Sequence, residues 1–314
     1  MVKKKKLWRT LSLRPIVFAK PSPKSICTLM EEVFNQTPTI GDRIEQDGNI
    51  DSSGTFIPNL CYFFNNYGKY GNGAIYFEIW SYIPGSVPAG YIPDPKATNA
   101  TFDISHFLDP KGNPKEVIHI SHVLLFGEVA VIEATKGTGG SGLVERYLNK
   151  IFKKYCKPRP PRVAFTVAMS TDLEREIEQG GGAVGFSLGI TSPIATQNPI
   201  AGLLSSASSK LQSSDAVMLT WTAKGQSKLD VTEVVNEARA AHNDHFDDIV
   251  IKLKHGSIRG LSKYRMQDKA EVDDLGGKNP DHAQLRDLMT HYLNKLMTPD
   301  SSGKRTIDAS GKLV

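Results

Sequence analysis

The chain has 314 residues, of which 39% are hydrophobic and 23% are charged, and its formal net charge is +5. This length is enough for one large domain or two ordinary ones, and the composition argues against disorder of the whole chain. Three scattered cysteines without a CxxC pair argue against a disulfide framework and against a zinc ribbon, and they are typical of a reducing cytosol.

Neither a signal peptide nor a membrane span is predicted. Lysines precede apolar residues at the N-terminus, but Arg9 and Arg14 interrupt the apolar stretch. The longest apolar run, residues 122–134, contains Gly127 and Glu128 and is too short to cross a bilayer. We therefore expect a soluble, cytoplasmic protein.

Strand and helix patterns alternate along the chain. Aromatic and β-branched runs predict strands at residues 11–18, 56–64, 73–83, 116–126, 128–134, 163–169, 183–190 and 216–223, and directly after Asp248. Apolar residues at three-to-four spacing predict helices at residues 22–34, 143–155, 171–180, 231–242 and 283–297. Residues 65–73 are predicted as a turn and Ser22 as the cap of the first helix, while residues 191–215 are compatible with a weak helix or a linker.

This order predicts an α+β protein in two lobes, with mixed or antiparallel sheets flanked by helices. The proline-rich segment "KPRPPR" follows the helix at 143–155 and indicates the boundary. The predicted divisions are an N-terminal lobe at 1–158, a C-terminal lobe at 159–297 and a flexible polar tail at 298–314.

Positive charge is concentrated in three segments. Residues 1–24 carry +8, residues 143–163 carry +6 and residues 252–265 carry +5, so the rest of the chain totals −14. Ordinary surfaces mix both signs of charge. This segregation favours a polyanionic ligand over a solvated surface, with an anionic membrane surface as the second interpretation.

Motifs for catalysis and for cofactors are weak. "KGTGGSG", residues 136–142, lies between a strand and a helix but lacks the lysine of a Walker A loop, so a flexible turn is the simpler interpretation. The His and Asp residues of "HNDHFDD", 242–248, suit a divalent metal by type, yet they are adjacent and would point apart. His119 and His122 are predicted on opposite sides of one strand, so a joint site is not expected.

Nuclease chemistry is the alternative from another class. Glu128, Glu133 and Lys136 stand near the end of a hairpin, but the Glu-x-Lys spacing of metal-dependent nucleases is missing. The motifs therefore predict no catalytic residues, no metal and no cofactor. A metal-dependent nuclease of a defence system and a protein-binding scaffold remain alternatives.

The basic segments carry the functional prediction. Lysine and arginine contacts to phosphate supply affinity without reading the base sequence. The predicted contacts are the cations of the second and third segments, forming two walls of a binding surface: Arg146, Lys150, Lys153, Lys154, Lys157, Arg159, Arg162, Lys252, Lys254, Arg259, Lys263 and Arg265.

Element order adds a family resemblance. The hairpin and helix of "HVLLFGEVAVIEATKGTGGSGLVERYLNKIF" and the later string "FDDIVIKLKHGSIRGLSK" resemble the RexA phage-exclusion proteins over residues 117–266. The resemblance implies a cytosolic, dimeric DNA-binding sensor that triggers a membrane effector encoded beside it, with Lys252 and Lys254 as DNA contacts. The first hundred residues depart from that family. We therefore expect sequence-tolerant binding of double-stranded DNA in anti-phage defence, by a homodimer.

Overall fold

A computed structural model describes residues 5–70, 73–86, 118–133, 140–190, 199–210, 217–225, 227–243, 246, 248–276, 278–300 and 303–314. Its architecture is α+β with antiparallel sheets, which confirms the predicted fold class. Within these ranges, no helix is both long and apolar enough to cross a membrane. The chain divides into two compact units, the first comprising residues 1–11, 16–165 and 268–314 and the second residues 12–15 and 166–267.

The described strands are β1 (Lys6–Phe18), β2 (Glu45–Ile50), β3 (Phe56–Tyr70), β4 (Ala74–Tyr82), β5 (His119–Phe126), β6 (Val129–Glu133), β7 (Val163–Phe165), β8 (Ala183–Ile190), β9 (Val217–Thr222), β10 (Asp248–Leu253), β11 (Gly256–Arg259) and β12 (Gln267–Asp273). The described α-helices are α1 (Ile26–Gln36), α2 (Ile40–Arg43), α3 (Gly140–Tyr155), α4 (Asp172–Gln179), α5 (Pro199–Lys210), α6 (Val231–Asn243) and α7 (His282–Met297).

The first unit is built on an eight-stranded sheet that curls into a half-barrel. Its strand order is β12-β1-β6-β5-β4-β3-β2, with β7 paired to β1. Neighbouring strands from β2 to β6 pair with the strand next to them in sequence, as antiparallel hairpins allow. Consequently, residues that are far apart in sequence come to lie side by side in rows across the sheet.

One face of this sheet carries the main core. Alternate residues of β4 such as Phe77 and Ile79 pack there with the apolar stripes of α1 and α3. The hydroxyl of Tyr147 on α3 donates to the carbonyl of Arg43 at 2.8 Å and accepts from the backbone N–H of Phe64 at 3.0 Å. These contacts fix α3 over the sheet and thereby determine which of its residues face outward.

The C-terminal residues complete the first unit. Helix α7 is capped by Asp281 and contacts β5, and the buried Ile307 follows it. Gly127, in the turn between β5 and β6, has φ of +55°, and a Cβ there would lie 1.9 Å from the carbonyl oxygen of Ser310. The turn and the C-terminal segment therefore pack backbone against backbone.

The second unit has a four-stranded antiparallel sheet in the order β11-β10-β8-β9. Helices α4, α5 and α6 supply apolar residues to one core with this sheet. The backbone N–H groups of Lys254 and His255 donate to the carbonyls of Gly182 and Gly180, so the β10–β11 turn lies against the loop that follows α4.

Several details differ from the sequence-based expectations. Ser25, not Ser22, accepts the capping hydrogen bond of α1, and residues 65–70 extend β3 where a turn was predicted. The units divide after residue 165, and α7 belongs to the first unit although sequence placed it in a C-terminal lobe. Residues 303–314 are hydrogen-bonded where a flexible tail was predicted. Their few apolar residues gave no periodic signal.

Candidate functional site

The outward face of α3 carries the first predicted set of cations. Its apolar residues Leu143, Tyr147, Ile151 and Phe152 are buried, since the stripe packs on the sheet. Arg146, Lys150, Lys153 and Lys154 therefore project from the opposite side, as the helical period predicts.

A cavity of about 300 Å³ lies between this helix face and the chain segment that follows it. Five of the seven cations predicted in this part of the chain line the cavity: Arg146, Lys150, Lys153, Arg159 and Arg162. Asn149, Phe152 and two prolines, Pro160 and Pro161, complete the lining. We call this feature the basic cavity.

Carboxylates from outside the basic segment neutralise part of this charge. Asp47 on β2 accepts from the Nζ of Lys150 at 2.6 Å and from the guanidinium of Arg146 at 2.8 Å. Burial raises the pKa of Asp47, but the hydrogen bonds from Lys150 and Arg146 outweigh it and hold the pKa below its ordinary value. Asp47 is therefore ionised at neutral pH and shared by two cations.

Two further ion pairs involve predicted contacts. Lys154 lies 3.6 Å from Glu45, and Arg162 lies 3.7 Å from Glu145. The charge of +6 counted for this segment already includes Glu145, and the structure adds Asp47 and Glu45, so four of the seven cations lie beside a carboxylate. Glu45 and Asp47 precede the segment by about a hundred residues, so local charge counting does not find them.

Three cations of the segment stay uncompensated. Lys153, Lys157 and Arg159 are exposed, and in the described part of the chain no carboxylate oxygen lies within 4.0 Å of their charged groups. Lys153 and Arg159 are at the basic cavity itself. This edge of the cavity is consequently where an incoming anion meets the least competition.

The cations of the second unit are distributed differently. Lys252 and Lys254 are exposed on and after β10, and Arg259 is exposed on β11. Lys263 pairs with Glu176 at 3.1 Å. Burial lowers the pKa of Arg265, and burial together with the charge of Arg265 lowers the pKa of Arg14. Of the exposed cations in the predicted second wall, Lys252, Lys254 and Arg259 form no ion pair with a described residue, whereas Lys263 does.

A row of buried polar residues crosses the sheet of the first unit. Strand register pairs Glu78 on β4 with His122 on β5, and His122 with Glu133 on β6. All three side chains are about 1% exposed. Their sequence neighbours Phe77, Val123 and Ile132 belong to the core under α3, so the polar row lies on the opposite face of the sheet. We call Glu78, His122, Glu133 and His282 the histidine–glutamate cluster.

Hydrogen bonds connect the members of this cluster. His122 Nδ1 lies 2.8 Å from Glu133 Oε2, and His122 Nε2 lies 2.8 Å from Nδ1 of His282. His282 comes from the first turn of α7 and lies 3.8 Å from Glu78 Oε1. Burial, followed by the neighbouring His122, lowers the pKa of His282, so its ring is neutral at pH 7.

Glu78 is held by groups that are themselves uncharged. Its Oε2 accepts from Trp80 Nε1 at 2.7 Å and from Asn66 Nδ2 at 2.8 Å, and its Oε1 accepts from the hydroxyl of Tyr76 at 3.2 Å. These donors fix the orientation of the carboxylate, and Oε1 is the oxygen nearer to His282.

Sequence reasoning did not identify this cluster. It considered Glu133 only with Glu128 and Lys136, and it separated His122 from His119, which is exposed on the same strand. The available signal was an acid among or directly after apolar residues, as Glu78 in "AIYFEIW" and Glu133 in "VAVIE". His122 gave a weaker signal, because two other polar residues, His119 and Ser121, precede it in the same strand. Lys136 and the side chains of His242, Asp244, His245 and Asp247 lie outside the described residues.

A comparison with protein-family models gives no match to this chain, and a comparison with curated proteins gives none either.

Proposed function

We propose that the protein binds double-stranded DNA through its phosphate backbone, without reading base sequence. The observation that carries this proposal is the basic cavity, where five cationic side chains from α3 and the following segment surround one concave surface. Lysine and arginine at such a surface contact phosphate oxygens in any sequence context.

The ion pairs set how strongly this surface attracts phosphate. Lys153, Lys157 and Arg159 are available at once, whereas Arg146 and Lys150 must be released from Asp47. Neutralising three phosphates gives a slope of log affinity against log salt of about −3, and neutralising six gives about −5. The salt dependence therefore reports how many of the paired cations take part.

The second unit supplies a further contact in this proposal. Lys252, Lys254 and Arg259 are exposed, and Gly256 and Gly260 beside them leave room for backbone to approach a phosphate. The resemblance to RexA proteins supports the same two lysines, Lys252 and Lys254. It also supports, as parts of the proposal, a cytoplasmic homodimer that acts in anti-phage defence with a neighbouring membrane effector.

The test is fluorescence anisotropy of the full-length chain with two duplexes of unrelated sequence over a range of salt concentrations. We expect binding to both duplexes with similar affinity. The slope of log affinity against log salt should lie between about −3 and about −5. Replacing Lys153→Glu together with Arg159→Glu is expected to weaken both complexes about equally. The matched control is Lys269→Glu with Lys304→Glu, two exposed lysines of the same unit that change the net charge equally.

Two results would contradict the proposal. One is the absence of binding at low salt. The other is equal weakening by the cavity variant and by the control variant, because the effect would then follow net charge and not the basic cavity.

A further inference from the structure

We propose that Glu78, His122 and His282 bind a divalent transition-metal ion of the Zn²⁺ class. These residues offer one carboxylate oxygen and two imidazole nitrogens that all lie within 4.8 Å of one another. They come from three separate elements, β4, β5 and α7, whose packing brings them together. The proposal does not depend on DNA binding, because the cluster and α3 lie on opposite faces of the sheet.

Two of the three distances between the proposed ligand atoms are near those of a tetrahedral metal site. Tetrahedral Zn²⁺ with bonds of about 2.0–2.1 Å places its ligand atoms about 3.3 Å apart. The two imidazole nitrogens are 2.8 Å apart, and His282 Nδ1 is 3.8 Å from Glu78 Oε1. Shifts of about half an ångström bring these two distances to that value. The third distance, between the ligand atoms of His122 and Glu78, is within 4.8 Å and shortens as the ion draws the ligands together.

The surroundings orient the proposed ligands. Glu133 accepts from Nδ1 of His122, which leaves Nε2 of that ring as the atom that faces His282. A carboxylate behind a metal-binding histidine is a recurrent arrangement that fixes the ring and raises its basicity. Trp80 and Asn66 play the equivalent part for Glu78 by holding its other oxygen.

The burial of two acidic side chains is a second reason to expect a cation. Glu78 and Glu133 are both about 1% exposed, and a buried carboxylate is costly unless a positive group compensates it. Arg9 lies 3.8 Å from Glu133. Within the described ranges, the side chain in ion-pair range of Glu78 is His282, whose Nδ1 lies 3.8 Å from Glu78 Oε1. A divalent ion between Glu78 and the two histidines places a positive charge directly beside this buried carboxyl group.

The ligand types select the metal. Imidazole nitrogen suits zinc and its neighbours in the first transition row, whereas Mg²⁺ and Ca²⁺ prefer oxygen ligands. The side chain of His282 is 24% exposed, so the ion has a route to the cluster from solvent. On binding, the proton on Nδ1 of His282 moves to Nε2 of the same ring, which keeps the ring neutral.

The experiment uses the full-length chain without an affinity tag, treated with chelator and then titrated with Zn²⁺ or Mg²⁺ by calorimetry. We expect one Zn²⁺ ion per chain, a rise in melting temperature with Zn²⁺ because the ion binds the folded state, and no such effects with Mg²⁺. His282→Ala is expected to abolish this binding. His291→Ala is the matched control, since His291 is exposed on the same helix.

The conservative variant Glu133→Gln is expected to weaken Zn²⁺ binding about 10–100-fold without abolishing it. Circular dichroism establishes that each variant is folded. Should His282→Ala fail to fold, the d–d absorption of Co²⁺ bound to the parent chain, and its reduction in Glu133→Gln, decide the question instead. Absence of Zn²⁺ binding by the parent chain, or equal binding by the His282→Ala and His291→Ala variants, overturns the proposal in favour of a metal-free hydrogen-bond chain.

Discussion

Asp47 Oδ1 lies 2.6 Å from the Nζ of Lys150, although the two residues are 103 positions apart in sequence. The same carboxylate accepts from Arg146 through its other oxygen. Asp47, on strand β2, therefore forms ion pairs with two of the cations that line the basic cavity. It also competes with any phosphate that enters.

Replacing Asp47→Asn is expected to strengthen DNA binding. The substitution removes one negative charge while preserving the shape of the side chain, so Lys150 and Arg146 become available to phosphate. We expect the slope of log affinity against log salt to become more negative by about 1–2. The measurement is anisotropy at several salt concentrations, and unchanged affinity and slope would show that DNA does not contact this part of helix α3.

The same pair predicts a dependence of stability on pH. The pKa of Asp47 is lowered in the folded chain. The stabilisation that its ion pairs give the folded state is therefore complete above the ordinary aspartate pKa of about 3.9 and is lost as the pH falls through the folded-state pKa. Partly exposed ion pairs contribute about 0.2–1 kcal/mol.

Urea denaturation of the parent chain and of Asp47→Asn is the corresponding measurement. The difference in the free energy of unfolding should be constant from pH 7 down to about pH 5 and then shrink toward zero in acid. A difference that grows on acidification contradicts this assignment, since it would require a raised pKa.

Gly127→Ala is expected to destabilise the first unit strongly. An added Cβ meets the carbonyl oxygen of Ser310 at 1.9 Å, so the C-terminal segment must move, and a positive φ of +55° is unfavourable for alanine as well. We expect a loss of more than about 2 kcal/mol in the free energy of unfolding.

Gly54→Ala is the control for that experiment. Gly54 has φ of +81°, but a Cβ added there would meet no atom of the described chain within 4 Å, so this variant carries only the conformational cost of about 1 kcal/mol. Equal losses in the free energy of unfolding for the two variants would mean that the C-terminal segment does not pack on the turn.

Local sequence patterns were sufficient to predict much of the secondary structure and the fold class. The apolar stripe of α3, with Leu143 and Ile151 on one side, predicted both the helix and the direction of its lysines, because a helix repeats every 3.6 residues whatever it packs against. The alternation of β-type and helical segments likewise predicted the α+β class. Chain segments that lack periodicity, such as residues 303–314, gave no such signal.

Tertiary structure decided which charges are neutralised and which polar residues meet. The side-chain period of a strand assigns Glu78, His122 and Glu133 each to a face, but only the register between strands places them in one row. Asp47 reaches α3 for the same reason, since β2 is brought to the helix by pairing with β3. Sequence periodicity is local, whereas the electrostatic environment of a side chain depends on every element that packs near it, however distant along the chain.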